Sequence, residues 1–355
     1  MSYFGQIYMT GPDSQKAADW LFTANMRKKP GSVVYTCMAN EQGGIEADLT
    51  VSVVDGSDIC SWEPSFNEER GFYIAAGGGA TLQNKAHIMK EIRKNKWNVS
   101  LHDFTEKMGT LSLQGPKSRD ILQELTNTDL SNESFPFSSH KVIDIAGQRV
   151  RAIRLSFVGE LGWELHIPEA AALPVYEAIH EVGKKYGLVN GGYRALDSLS
   201  CEKGYVLWHA DIRPDDTPLE AGLQFTCKLK ASESFLGREA LLIQKDQKPK
   251  KKLVTFTLND PSVAIHGLEG ILRDGEPVGY VRRAEYAFYL GTSIARGYVK
   301  NPSGSEVSKE FLNTGKWKID VMGETHPITV HLTSPFDPKN LRIKGIYEDQ
   351  NNTKQ

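Results

Sequence analysis

Leu155-Ser156-Phe157-Val158-Gly159-Glu160-Leu161-Gly162-Trp163-Glu164-Leu165-His166-Ile167-Pro168 is the stretch whose reading sets the fold. Gly159 and Gly162 interrupt it, so residues 149–157 and 163–167 read as two paired strands around a glycine turn. Alternation then places Glu160, Gly162 and Glu164 on one face and Leu161, Trp163 and Leu165 on the other. On these residues alone, an apolar face turned inward leaves Glu164 as a solvent-facing strand residue.

Outward from this pair, Gln114-Gly115-Pro116 sets a proline at the first turn of a helix carrying Ile121, Leu122 and Leu125, where its missing N–H does no harm. Downstream, Val175, Ala178, Ile179 and Val182 recur at helical spacing until Gly187, and residues 194–202 form a further helix. At the front, residues 3–9 read as a strand, and Gly11-Pro12-Asp13-Ser14 turns into a helix with Ala17, Ala18, Leu21 and Phe22 on one face. A chain that opens inside a strand is expected to lack the first part of its module. Residues 33–38 and 49–54, rich in Val and Thr and joined through Gly43-Gly44, read as a hairpin.

Beyond the basic run Lys248-Pro249-Lys250-Lys251-Lys252, taken as a solvated interdomain linker, the character changes to short strands with Gly- and Pro-rich turns. Residues 253–258, 270–273, 278–283, 294–299 and 317–321 suggest a small antiparallel barrel, with Asp274-Gly275 as a hairpin turn. Residues 348–355 are polar and expected to fray.

With 355 residues, 40% hydrophobic and 24% charged, the chain is long enough for two or three domains with buried cores. Lys and Arg number 42 against 44 Asp and Glu; the net charge of -2 offers no general attraction to nucleic acid or to an anionic membrane. A small-molecule partner is expected instead. No apolar run approaches the roughly 20 residues needed to cross a bilayer, and neither a signal-peptide core nor a transit segment stands at the N-terminus. Cys37, Cys60, Cys201 and Cys227 form no Cys-x-x-Cys pair, so neither a zinc site nor a disulfide framework is indicated, and a reducing compartment fits.

Three segments carry candidate chemistry. Gly77-Gly78-Gly79 between a strand and a helix mimics a dinucleotide loop, but Leu82 stands where the pattern needs Gly or Ala, and a tight structural turn accounts for it better. The glycines of Asn40-Glu41-Gln42-Gly43-Gly44 deliver Asp48 to the start of a strand; such a carboxylate caps a turn or hydrogen-bonds an amine nucleophile. Asp197 and Glu202 lack the spacing that shares a helix face, and His209 near Asp211 has no partnered nucleophile, so neither a triad nor a metal motif emerges.

Taken together and in order, Asn40-x-x-Gly43-Gly44-x-x-x-Asp48, Gln114-Gly115-Pro116, Gly159-x-x-Gly162-x-Glu164, Asp197-Ser198-Leu199-x-x-Glu202-x-Gly204 and Thr217-Pro218-Leu219-Glu220 resemble the glycine-cleavage T-protein (aminomethyltransferase) family, from Ser2 to about Tyr347. The resemblance implies an α+β fold with three lobes around a tetrahydrofolate pocket and a C-terminal antiparallel β-barrel. Residues 1–247 would form the folate-binding, aminomethyltransferase-like region and residues 253–347 the barrel. It further implies one-carbon transfer from an iminium or aminomethyl donor to folate, with Asp48 catalytic and Glu164 holding the pterin. Phe4, Tyr35, Tyr73 and Phe225 fall on pocket-lining positions. Many members carry an arginine immediately before the Asp-Ser/Thr-Leu of the long helix; Leu196 stands there, and Arg194 two residues earlier is the candidate folate contact. The nearest pattern is that of mitochondrial-matrix members in which a flavin-binding (FAD) domain precedes the folate module. Oxidation is expected of that domain or an electron-transfer partner, not of this chain. The alternative is a folate-binding or regulatory module without turnover.

Overall fold

The computed structural model describes residues 4–60, 62 and 69–347; Tyr3 of the expected first strand and the expected fraying tail at 348–355 lie outside them. The fold is α+β and three-lobed, as three separate sheets make plain.

The first lobe contains β1 (Gly5–Thr10), α1 (Ser14–Leu21), β2 (Val33–Ala39), β3 (Ile45–Asp55), α2 (Gly56–Cys60), β4 (Arg70–Ala76), α3 (Thr81–Asn95) and β5 (Ser100–Asp103). Its sheet order is β2-β3-β4-β1-β5, with neighbours antiparallel. Ile7, Met9, Val51, Val53, Phe72 and Ile74 turn one face onto Ala17, Leu21, Ile88 and Ile92 of the helices. Tyr8, Val54, Tyr73 and Ala75 occupy the opposite face and pack on Phe104, Met108 and Ile153. Both faces of the central strands are thus covered, which is why β1 is buried throughout. Gly77 to Gly79 lead through a short 3-10 turn into α3, and β1 lies between β4 and β5. The connection is a structural turn in an antiparallel sheet, not a dinucleotide fold.

The second lobe contains β6 (Met108–Gln114), α4 (Ser118–Gln123), β7 (His140–Ile145), β8 (Gln148–Ile153), β9 (Gly162–Pro168) and α5 (Glu169–Gly183), in sheet order β6-β9-β8-β7. Pro116 lies in the turn two residues ahead of α4 rather than inside it. The strand expected over 149–157 ends at Ile153; just beyond it the Arg154 guanidinium turns inward to the carbonyls of Phe135 and Ile343. Trp163, Leu165 and Ile167 share a core with Val150, Ala152, Val175 and Ile179. The other face of β8 and β9, with Arg151, Ile153, Glu164 and His166, turns to the first lobe. Glu164 therefore does not face bulk solvent as expected from alternation alone: a second sheet covers the polar face, and only 13% of the side chain is exposed.

After α6 (Tyr193–Lys203) and α7 (Arg238–Gln247), the chain builds a closed barrel from β10 (Lys251–Leu258), β11 (Gly270–Arg273), β12 (Glu276–Ala287), β13 (Thr292–Lys300), β14 (Trp317–Val321) and β15 (Glu324–His331), with α8 (Lys309–Asn313) before β14. Asp274 and Gly275 both take positive φ, the geometry of a tight two-residue hairpin. The closing strand β15, unanticipated in sequence, pairs with both β10 and β14. Its turn is Met322-Gly323, also at positive φ but without the usual Asn or Asp. The lysine run is solvated only in part: Lys248 and Lys250 are exposed, whereas Lys251 begins β10 and its Nζ lies 2.8 Å from Asp216 Oδ1, a fully buried carboxylate.

Candidate functional site

The β2–β3 hairpin positions Asp48. Asn40 Oδ1 accepts the N–H groups of Gln42 (3.0 Å) and Gly44 (2.9 Å), while Gly43 takes φ +80°, which glycine adopts without strain. A Cβ on Gly44 would lie 1.9 Å from the carbonyl oxygen of Pro214, so the tip docks closely on the segment leading to the barrel. An irregularity between Met38 and Ala39 then sets the register that pairs Cys37 with Asp48 and Tyr35 with Thr50.

That register has a chemical consequence. Directly paired residues share a face, so Tyr35, Asp48 and Thr50 lie on the same side of the sheet as Ala75, Tyr73 and Gln6. This is the side covered by the second lobe, whose β9 presents Glu164 and His166. Asp48 lies on this side of the first sheet toward Phe225 and Asp211, while Glu164 lies on the β9 face that packs over Tyr73 and Gln6.

At one end of the seam the Tyr35 hydroxyl donates to Asp48 Oδ2 at 2.8 Å. The Tyr35 ring stacks with Phe225, centroids 6.4 Å apart, and Phe225 is 74% exposed. Asp48 is half-buried. Burial pushes its pKa up to about 6, against the Tyr35 hydrogen bond and its own backbone N–H, while the negative charge of Asp211 adds to the rise. Asp211 is fully buried; it accepts from the Leu207 N–H at 2.8 Å and pairs with Arg283 at 3.0 Å and Arg296 at 3.6 Å. It is committed to these arginines, so His209 and Asp211 do not make an acid–base pair; His209 sits at φ +68° in a turn whose carbonyl accepts from Arg213.

At the other end, Glu164 Oε2 lies 3.9 Å from His166 Nε2. His166 is fully buried, with Nδ1 2.7 Å from the Tyr73 hydroxyl and 3.2 Å from Gln6 Oε1. Burial holds the His166 pKa below its usual value, although Glu164 draws it back up. Tyr73 is itself fully buried beneath the guanidinium of Arg151, 4.4 Å from the ring centroid. It reaches Glu164 through His166 and presents no exposed face.

The remaining expected residues lie apart. Phe4 is half-buried just ahead of β1. Arg194 is 87% exposed near the start of α6, 3.6 Å from Glu285, and lines a cleft of about 460 Å³ with Ser198, Tyr286 and Phe288. Neither Asp48 nor Glu164 lines that cleft. Glu202 accepts from the N–H groups of Tyr289 and Leu290 at 3.0 and 2.9 Å, clasping α6 to the barrel. Gln6, Arg151, His166 and Arg296 were not singled out from sequence, although His166 shares the Glu164 face by simple alternation. Among the described residues no cluster of His, Cys, Asp and Glu could hold a metal ion, and no helix is long and apolar enough to cross a membrane.

The GCVT N-terminal domain model matches residues 1–231, and the glycine cleavage T-protein C-terminal barrel domain model matches residues 251–337. The chain is 53% identical over 348 residues to mitochondrial sarcosine dehydrogenase of Mus musculus, covering 98% of this chain and 38% of that protein. It is 33% identical over 295 residues to an aminomethyltransferase of Thermoanaerobacter sp. (strain X514), covering 83% of this chain and 75% of that protein. The crystal structure of glycine cleavage system aminomethyltransferase T from Bartonella henselae superposes with a TM-score of 0.76 at 21% identity, over 93% of this chain and 83% of that chain, a likeness of fold.

Proposed function

The chain belongs to the glycine cleavage T-protein family, and from that premise we propose that it is a tetrahydrofolate-binding one-carbon transfer module that captures a methyl-derived carbon as 5,10-methylenetetrahydrofolate. The observation that carries the reading is Asp48 itself: a half-buried carboxylate, oriented by Tyr35, with a pKa raised to about 6. A carboxylate tuned toward neutrality suits proton transfer near pH 7.

The donor set fits such a ligand. Glu164 offers a carboxylate to adjacent N–H donors of a pterin, a paired recognition that fixes orientation. Phe225 and Tyr35 offer aromatic faces at the Asp48 end. Tetrahydrofolate would supply two amine nitrogens: one attacks the iminium or aminomethyl carbon, and the second closes the methylene bridge as the donor amine leaves carrying one of the two N–H protons, the other being released. Asp48, ionised above about pH 6, would orient the attacking amine, oppose the developing positive charge and take the proton released, directly or through water. Tyr73 would act from below through His166, Phe4 at the pocket edge, and Arg194 on the anionic end of the ligand.

The longer relatives support a place for the donor chemistry. Removal of hydride from an N-methyl amine would be the task of a flavin (FAD) domain joined to this module, or of an electron-transfer partner, in the mitochondrial matrix. The chain spans only 38% of that relative, so the oxidation is not assigned to it.

The test is a tetrahydrofolate titration followed by protein fluorescence, paired with an assay supplying tetrahydrofolate and formaldehyde or a donor-generated iminium. Saturable binding and a rate above the spontaneous condensation are expected. Binding with no rate above that background would leave a folate-holding or regulatory module instead.

A further inference from the structure

Gln6 sits at the middle of a buried hydrogen-bond chain that runs from the first lobe to Glu164. Its Nε2 donates to the Met108 carbonyl at 2.8 Å and faces Thr110 Oγ1 at 3.5 Å, which turns Oε1 toward Tyr73 and His166. An amide oxygen only accepts. The single hydroxyl proton of Tyr73 therefore goes to Gln6 Oε1, at 2.5 Å. With that proton committed, the Tyr73 oxygen accepts from His166 Nδ1 at 2.7 Å, and the same N–H leans on Gln6 Oε1 at 3.2 Å. The chain thus assigns the Nδ1–H tautomer to a neutral His166. The opposite tautomer would leave Nδ1, Tyr73 and Gln6 one proton short.

Nε2 then carries a lone pair. It is buried and has no hydrogen-bond partner among the described residues. It points to the Glu164 side of the seam, 3.9 Å from Oε2, so two acceptors face one another without a proton between them. The groups facing His166 are Glu164 on its own strand, Tyr73 from β4, Gln6 from β1, the uncharged Thr110 from β6 and Arg151 from β8. Arg151 is held by Asp58 and Tyr8, and its charge opposes a positive imidazolium.

We propose that His166 is a positioning residue for Glu164: its bare Nε2 leaves both carboxylate oxygens to the paired N–H donors of a bound pterin, and its protonation creates a donor that pulls Glu164 out of that alignment. The inference rests on the reading of Glu164 as the pterin contact. A proton on Nε2 would close the 3.9 Å gap to about 2.8 Å, the length of a charge-assisted bond. A displacement of about 1 Å is enough to spoil a two-point contact.

The experiment has a part that needs no folate. In protein labelled with 15N-histidine, the His166 signals, identified by their loss in His166→Phe, should show a protonated Nδ1 and a bare Nε2; a protonated Nε2 at pH 7.5 overturns the assignment. In Glu164→Gln, His166 should titrate lower than in the wild type, because the neighbouring anion is gone; an unmoved titration overturns the coupling, and this readout stands even if His166→Phe folds poorly. Tetrahydrofolate affinity is then followed by fluorescence from pH 7.5 to 5. Relative to His166→Phe, the wild type should lose about tenfold for each pH unit below the His166 titration point, since only the neutral form is competent. Superimposable affinity curves with binding intact overturn the role of His166 alone. No saturable binding at any pH overturns the folate reading and the ligand assigned here with it, while the tautomer and coupling remain as measured.

Discussion

The Tyr35 hydroxyl on β2 donates a 2.8 Å hydrogen bond to Asp48 Oδ2 on the neighbouring strand β3. This bond opposes the burial that raises the carboxyl pKa to about 6. Removing it in Tyr35→Phe should therefore raise the pKa further. If transfer requires ionised Asp48, the acid limb of the pH–rate profile moves upward in Tyr35→Phe. A profile with an unchanged midpoint would detach Tyr35 from the proton-transfer step.

Asp48→Asn should separate catalysis from stability. The folded pKa of about 6 lies above the ordinary aspartate value of 3.8, so between these values the folded state binds more protons than the unfolded state. Stability is then lost as pH rises from about 4 through 6. An asparagine carries no such charge. The variant should gain about 1–3 kcal/mol over the wild type at pH 8 and little at pH 4, while one-carbon transfer slows by roughly 100-fold or more. Urea unfolding at the two pH values checks the first half, and the background-subtracted transfer assay the second. Unchanged transfer would remove Asp48 from the catalytic role.

Glu164→Ala should show the opposite pattern. A carboxylate that recognises the pterin in ground and transition states alike contributes mainly to binding. Folate affinity is expected to fall by about 1.5–3 kcal/mol, with turnover at saturating folate largely kept. Parallel losses in both quantities would mean that Glu164 acts in the chemical step as well.

Arg194 is 87% exposed, so a contact with an anionic ligand group would be screened. Arg194→Ala should weaken folate binding by no more than about 1 kcal/mol at low salt, and the difference should vanish at high salt. A salt-independent loss would place Arg194 in a desolvated contact instead.

Gly44→Ala probes the hairpin that carries Asp48. The added Cβ would meet the Pro214 carbonyl oxygen at 1.9 Å, a backbone atom that cannot swing aside as the end of a flexible side chain can. Destabilisation of about 1–3 kcal/mol is expected, with transfer reduced as the Asp48 register loosens. Wild-type stability in denaturant melts would show that the tip can shift away from residues 213–216.

Much of the fold was legible because its signals are local. The Gly43-Gly44 hairpin, the helical spacing of Val175 and Ile179 and the Asp274-Gly275 turn are written in contiguous residues, and the structure contains each. The closing strand β15 escaped notice because Pro327 interrupts it and Met322-Gly323 lacks the common turn residues. Lys251 read as linker because its partners, Asp216 and Glu220, are more than thirty positions upstream, 251 against 216 and 220.

The site divides along the same line. Sequence by itself determined that Glu164 and His166 share one face and Trp163 and Leu165 the other, since a strand alternates whatever surrounds it. It also carried the ordered motifs that mark the family. Only the tertiary structure decided what stands opposite those faces: a sheet rather than water over Glu164, Tyr73 bonded to His166 across 93 positions, and Gln6 fixed by Met108 across 102. Burial, tautomer and the raised pKa of Asp48 all follow from such distant partners, because the field at a side chain is set by what packs against it rather than by its neighbours along the chain.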